Sequence, residues 1–314
     1  MGLFSFFKKK NKDRDLNAAE ENTEIKAELE KNTMSLEQAE IDSDMIKGIL
    51  EELEEETKRP VINIEVLDGE PALTESKFGG LPYIPADKDV PTDSQNRQLR
   101  LLAQLNLEEL PKNDILPDKG ILQFWALHDD IIGLELDALN KNDRSRVIYL
   151  ESIDETVTAE QVRDKYKPFN DENSHFPVDG EFKLTFALSE EGISSNTYLF
   201  DKLFTDKWNK AYPDNKIKNI YDLPEDEDED EDLFGDMQGF GHKIGGYAGF
   251  TQEDPRSESN YLSSCNVLLL QIDSIGTETH GIMWGDSGIC NFFISENDLK
   301  NKDFSKSVYN WDCY

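Results

Sequence analysis

Four histidines bound the acid–base chemistry open to this chain: His128, His175, His242 and His280. None stands in an HExxH or HxH pattern, so the sequence writes no helix-borne zinc site. His128-Asp129-Asp130 carries donor types that a metal takes, but the matching place later in the chain holds Ser295-Glu296-Asn297, and a polar hairpin end is the simpler reading. Gly285-Asp286-Ser287-Gly288 spells the nucleophile segment of trypsin-like proteases in four letters. Ile289 follows where a second glycine belongs, no upstream histidine has the matching setting, and a triad is a geometry rather than a tetrapeptide. What remains is His242, the candidate general base beside the glycine-rich Gly245-Gly246 segment, with Asp254, Arg256 and Asp286 further along.

A second group consists of polar residues inside apolar runs. Gln104 and Asn106 lie two apart in a run that reads as a strand, so they face one side; Gln271 and Asp273 do the same later on. A buried amide or carboxylate without a partner costs about 1–3 kcal/mol, so each must bond something. Either they bond the glycine loops at Gly79-Gly80 and Gly245-Gly246, or they line a cleft and bind a polar ligand.

The elements that must position these residues come in two sets. Lys77-Phe78-Gly79-Gly80 returns 166 positions later as Lys243-Ile244-Gly245-Gly246 (77 to 243). Leu101 to Asn106 returns as Leu268 to Asp273, 167 later (104 to 271), and Gly120 to Trp125 returns as Gly288 to Phe293, 168 later (120 to 288). Three blocks in one order at near-constant spacing imply an internal duplication. Half-unit one then spans about 61–155, a connection 156–235, and half-unit two about 240–314.

Strand signals dominate from residue 61: Val61–Leu67, Leu99–Leu107, Gly120–Leu127, Arg146–Leu150 and the alternating Glu181–Ala187. Thr158 with Gln161 starts a short helix that ends before Pro168. Leu199, Leu203, Phe204 and Trp208 make an apolar helical face within 196–211, ending near Pro213. Upstream, Ser35 with Gln38 opens a helix whose stripe is Ile41, Met45, Ile49 and Leu53, beside Ile46 and Leu50, and Arg59-Pro60 ends it. That helix either packs on the body or binds a partner. The expected fold class is α+β: mainly antiparallel β half-units in one body with flanking helices.

The formal charge is −33 over 314 residues. Eight acids form the run Glu225–Asp232, and residues 13–60 hold 16 acids against 6 bases. Such a field repels nucleic-acid phosphates and draws cations and basic partners. The run 225–232 reads as a disordered loop, because like charges repel and nothing there is apolar; it lacks the spaced ligands of a calcium loop. Three cysteines, Cys265, Cys290 and Cys313, form no CxxC pair, which fits a reducing cytoplasm. Residues 1–15 read as a flexible tail and 16–58 as a charged helical extension. Met1 to Lys10 places apolar residues before lysines, enough for weak peripheral membrane contact at most, and Phe6 stands where a myristoylation signal has Ser or Thr.

The segments Phe78-Gly-Gly-Leu-Pro, Ala103-Gln104-Leu105-Asn106 and Gly120-Ile-Leu-Gln-Phe resemble the first half of the YwqG-like family. His242-Lys-Ile-Gly-Gly-Tyr, Leu270 to Asp273, Trp284 to Gly288 and Tyr309-Asn-Trp-Asp-Cys resemble its second half, so the resemblance covers roughly residues 60–314. It implies an α+β, bacterial, cytoplasmic protein and supplies no substrate, cofactor or catalytic residue.

The sequence therefore points to a binding or interaction protein without a cofactor or metal, whose partner is a basic protein or a small polar ligand, and not nucleic acid. The alternative is a small-molecule-binding enzyme, hydrolytic in type, with a cleft around His242, Asp254, Arg256 and Asp286. The candidate ligand residues are His242, Asp254, Arg256, Gln271, Asp273, Asp286, Gln104 and Asn106.

Overall fold

The computed structural model describes residues 43–167, 169, 176–223 and 234–314. The tail 1–15, the helix start at Ser35, His175 and the acidic run 225–232 lie outside them. The chain divides into two compact units, Met1–Glu51 with Phe204–Leu233, and Glu52–Leu203 with Phe234–Tyr314.

The smaller unit holds most of two helices, α1 (Ser43–Thr57) and α3 (Phe200–Ala211); α2 (Ala159–Lys165) belongs to the other unit. In α1, Ile46, Ile49, Leu50 and Leu53 are buried as the stripe requires. In α3 the buried face is Phe200, Phe204 and Trp208, while Leu199 and Leu203 are exposed. Phe204 and Trp208 lie on the expected face, and Leu199 and Leu203 do not. The helix starts at Phe200 rather than 196, and the i, i+4, i+8 series from that residue is wholly aromatic, leaving Leu199 and Leu203 about 100° to one side. The Trp208 ring stacks on Phe204, and its Nε1–H donates to the Asn215 carbonyl at 2.7 Å.

The larger unit is built on one ten-stranded antiparallel sheet. In chain order the strands are β1 (Arg59–Asp68), β2 (Lys77–Gly79), β3 (Leu99–Asn106), β4 (Ile121–Leu127), β5 (Ser145–Leu150), β6 (Glu181–Glu191), β7 (His242–Gly245), β8 (Val267–Asp273), β9 (Ile289–Ile294) and β10 (Val308–Asp312). Two short helices, α4 (Asn260–Ser264) and α5 (Glu296–Lys300), flank it. The expected strands are all present, β6 running four residues further than its alternation shows. The capping box at Thr158 and Gln161 forms as written and opens α2.

The strand order is β10-β9-β8-β7-β1-β6-β2-β3-β4-β5. The centre is a long pair, β1 with β6, in register from Arg59↔Glu191 to Asp68↔Phe182. Each central strand serves the flank that does not follow it in the chain: β1 pairs with β7, and β6 pairs with β2. The sheet curls so that β4 meets β9, with the Phe124 and Phe292 rings 5.0 Å apart, and a continuous core of aliphatic and aromatic side chains fills the space between the flanks. Burying these rings, Trp284 and Tyr309 stabilises each by about 1.5–3 kcal/mol. Among the described residues no helix is long and apolar enough to cross a membrane.

Candidate functional site

Gln104 on β3 and Gln271 on β8 are wholly buried, and each uses its whole amide. Gln104 Oε1 accepts from the Tyr83 N–H at 2.8 Å, and its Nε2 donates to the Leu73 and Glu75 carbonyls at 2.9 Å. Gln271 Oε1 accepts from the Gly249 N–H at 2.8 Å, and its Nε2 donates to the Gly239 and Gly241 carbonyls at 2.8 and 2.7 Å. Each of these backbone partners stands 166 positions from its counterpart (83 to 249, 73 to 239, 75 to 241), while Gln104 Oε1 also accepts from Gln123 Nε2 at 2.9 Å. The amides therefore clamp the chain on either side of each glycine pair; the glycines themselves are not the partners.

The glycine pairs answer to another group. Gly79 and Gly80 have φ of +65° and +70°, and Gly245 and Gly246 of +73° and +60°. A Cβ on Gly80 would lie 2.2 Å from Glu181 Oε1, and one on Gly246 would lie 2.1 Å from Glu191 Oε1. Only glycine admits both the left-handed backbone and the carboxylate. Glu181 accepts from Lys77 Nζ at 3.1 Å and from the Leu81 N–H. Glu191 accepts from Lys243 Nζ at 2.9 and 3.0 Å and from the Tyr247 N–H. Both lysine side chains are 1% exposed, and burial pulls both ammonium groups below the usual lysine pKa against the raising effect of the carboxylates. One strand, β6, supplies both carboxylates from its two ends. Sequence reasoning noticed the lysine–glycine blocks but not these glutamates. The usable signal was a buried lysine demanding an anion, with Glu181 and Glu191 at the ends of the alternating strand.

His242 is buried, and both ring nitrogens are occupied. Nδ1 accepts from the Asp273 N–H at 3.0 Å, and Nε2 faces the Ile275 carbonyl at 2.7 Å, so Nε2 carries the proton. Burial lowers its pKa below the usual 6.5, which keeps the imidazole neutral. Ser76, 166 positions earlier, does the same work, its Oγ accepting from the Asn106 N–H at 2.9 Å. Asp273 accepts from the Gly241 and Ser274 N–H groups, while Asn106 donates to the Thr74 carbonyl and caps the turn at Glu108. Asp254 and Arg256 form a buried two-pronged ion pair, with the Asp254 carboxylate also accepting from the Arg256 N–H. Asp286 is exposed in the turn before β9, where Gly285 and Ser287 both take positive φ. The structure brings His242 and Asp273 together, joins Asp254 to Arg256, and places Asp286 in neither pair. Gln104 and Asn106 belong to the other flank. Among the described residues no cluster of metal-ligating side chains occurs.

The family match takes in most of the larger unit but not its first strand. Residues 76–313 match the family model described as a domain of unknown function, DUF1963. The chain belongs to that family. No curated protein matches it. The DUF1963 region contains both glycine pairs, both lysines and both glutamates, while α1 and the whole of β1 precede it.

An open concavity within this unit lies beside the second glycine pair. It is a groove of about 860 Å3 floored by Ile115, Leu116, Val267 and Leu268 and rimmed by Arg59, Gly246 and Lys300. The Arg59 guanidinium stacks over the Tyr247 ring, 3.5 Å from its centroid, and donates to the Gly246 carbonyl. Lys302 on the same rim is engaged by Glu151 at 3.0 Å, and Glu296 accepts from Asn266 at 2.9 Å. Asp114 also lines the groove, so an apolar floor and a rim of mixed charge together can hold an aliphatic group beside a polar or charged one. At both first glycines the chain comes close: a Cβ on Gly79 would meet the Gly180 carbonyl and Val178, and one on Gly245 would meet the Pro60 carbonyl and Ile115.

Proposed function

We infer that the chain is a non-enzymatic binding protein made of two related half-units, and that its ligand seats in the groove beside Gly245-Gly246. One observation carries this reading. Gln104 and Gln271 bond corresponding backbone groups in the two flanks, whereas the groove is lined by the second glycine pair. A duplicated structural device repeats its bonds, and a place where the copies differ is where selection for a ligand has room to act. Within its family the chain is placed with the YwqG-like group, and its ligand is a protein or a small polar molecule.

The enzymatic alternative around His242 draws less support. A general base needs a free lone pair within reach of a substrate proton. His242 Nδ1 already accepts a backbone N–H, its Nε2–H is directed at a carbonyl, and Ser76 fills the corresponding role without any titratable group.

Asn266 is exposed on the groove, so an Asn266→Trp ring fills it at little cost to the core. The intact protein and this variant are to be purified gently, and co-purifying small molecules and proteins compared by mass spectrometry. A stoichiometric ligand present with the first and missing from the second supports the reading. An identical inventory from both overturns the groove as its seat.

A further inference from the structure

Beside the first glycine pair, an extended segment closes the place that the groove leaves open beside the second. Pro177–Asp179 runs antiparallel to Gly281–Met283, with Val178 bridged to Ile282, the Asp179 N–H donating to the Gly281 carbonyl and the Met283 N–H to the Pro177 carbonyl at 2.8 Å. Val178 and Ile282 are both buried. Ile115 stands 167 positions before Ile282 (115 to 282), at the matching point of the connection between β3 and β4. It touches the Gly245 position with its Cδ1 and is only partly buried. The segment that would bridge it, by analogy with 177–179 just ahead of β6, lies just ahead of β1, and there the chain is the end of α1 at Thr57. The layer beside Ile115 is thus one extended segment short. The rim of that gap carries the cations Arg59 and Lys300 along with the acids Asp114 and Glu296, on a molecule of net charge −33.

We propose that the groove takes an extended peptide segment of a partner protein, with a β-branched aliphatic residue against Ile115 and a neighbouring carboxylate toward Arg59 and Lys300. This rests on the binding-protein reading and names its ligand class. The peptide lies extended, as Pro177–Asp179 does, and one side-chain seat supplies selectivity; the Ile115 and Leu116 N–H groups already donate to Asn113 Oδ1, so backbone bonding adds less than in the template. The molecule holds its own template for such a ligand, Val178-Asp179 in Phe176–Phe182. The surrounding acidity selects against long polyanions through repulsion, so the favoured segment bears one or two carboxylates rather than a run of them.

The test uses the full-length protein and a fluorescein-labelled synthetic peptide with the sequence of residues 176–182, followed by fluorescence polarisation. Saturable binding with a dissociation constant below about 1 mM is expected. Asn266→Trp should abolish it, and Lys300→Glu should weaken it about two- to tenfold, as expected for an exposed charge. Replacing the peptide's valine by aspartate should remove binding. Circular dichroism and thermal melting of both variants confirm that they fold. Absence of binding, or binding that Asn266→Trp leaves unchanged, overturns the proposal; the latter would mean that the peptide invades its own site beside β2. If no peptide binds yet a co-purified small molecule is lost from Asn266→Trp, the peptide inference falls while the binding reading stands. Self-association abolished by the same substitution would put a second copy in the groove and likewise overturn the peptide inference.

Discussion

Removing the Glu191 carboxylate tests the account of the buried lysines most directly. Glu191→Ala strips Lys243 Nζ of both contacts, at 2.9 and 3.0 Å, and leaves the Tyr247 N–H without its acceptor. Breaking a buried ion pair from one side costs about 3–5 kcal/mol. The glutamate is 26% exposed, so water enters part of the vacated space and the expected cost sits at the lower end, about 3 kcal/mol. Glu181→Ala should cost less, about 2 kcal/mol, because Lys77 Nζ keeps the Leu81 carbonyl at 3.2 Å. Urea unfolding followed by circular dichroism reads both values, and a melting shift of about 6–12 °C is expected for Glu191→Ala. Adding Lys243→Met to Glu191→Ala should recover at least half the loss, since no buried charge is then stranded. The pH dependence has a definite sign. Without the carboxylate, burial lowers the Lys243 pKa further below the free value of 10.5, so in the alkaline range the unfolded chain binds more protons than the folded one. Stability of Glu191→Ala must therefore rise with pH until about 10.5 is passed. A Glu191→Ala protein less affected than Glu181→Ala, or one that Lys243→Met fails to rescue, would refute the reasoning.

His242 has a folded-state pKa lowered by burial, so protonation favours the unfolded chain. Its contribution is complete above about 6.5 and is lost as pH falls below that value, which urea midpoints from pH 5 to 8 will show as a slope missing from His242→Gln. Gly246→Ala should cost more than about 2 kcal/mol, because its φ is +60° and its Cβ would meet Glu191 Oε1 at 2.1 Å; Gly48→Ala, with open space around it in α1, should gain about 1 kcal/mol in the same unfolding assay. Among the three thiols, Cys313 alone should react quickly with a disulfide reagent in the native state, because Cys265 and Cys290 are buried and burial raises both pKa values. Equal rates for all three under native conditions would contradict that placement.

Most of the strands were legible because their apolar or alternating runs are short and bounded by Gly, Pro, Asn or Asp, and those local signals agree with the final pairing. The buried glutamines were legible as residues that must bond something. Their partners were not, because bonds from β3 to Leu73 and Tyr83 depend on how the loop folds back, which no spacing encodes. The glycine pairs were visible as turns, but the carboxylates opposite them come from residues 101 and 55 positions away (80 to 181, 191 to 246) and needed the sheet order to be found. His242 stood out because histidine is the usual general base. Its role as a neutral acceptor emerges only once Ser76 is seen in the same geometry. The face of α3 was misread by one position because Leu199 and Phe200 are adjacent and both apolar, and only the first helical residue decides between them.

The exchange of central strands explains why the groove falls where it does. Because β1 pairs with β7 and β6 with β2, each flank borrows its innermost strand from the chain ahead of the other flank. What precedes that borrowed strand then decides how the adjoining glycine pair is covered. Ahead of β6 the chain arrives extended, as Pro177–Asp179, and closes the layer over Gly79. Ahead of β1 it arrives as a helix, which Thr57 ends by donating its hydroxyl to the Leu53 carbonyl and accepting from the Ile193 N–H. A helix end cannot lie flat beside Ile115 as an extended segment does, because its backbone groups are directed along the helix axis rather than sideways. The open groove is therefore a consequence of helix α1 reaching as far as Thr57. Shortening that helix by substituting proline at Glu55 should loosen the groove's Arg59 wall, whereas the same substitution at Glu51, a turn earlier, should leave it intact. Amide exchange of Gly246, whose N–H donates to the Pro60 carbonyl at 3.0 Å, reports the difference: faster in Glu55→Pro and unchanged in Glu51→Pro. Equal protection in both would mean that the groove owes nothing to the helix.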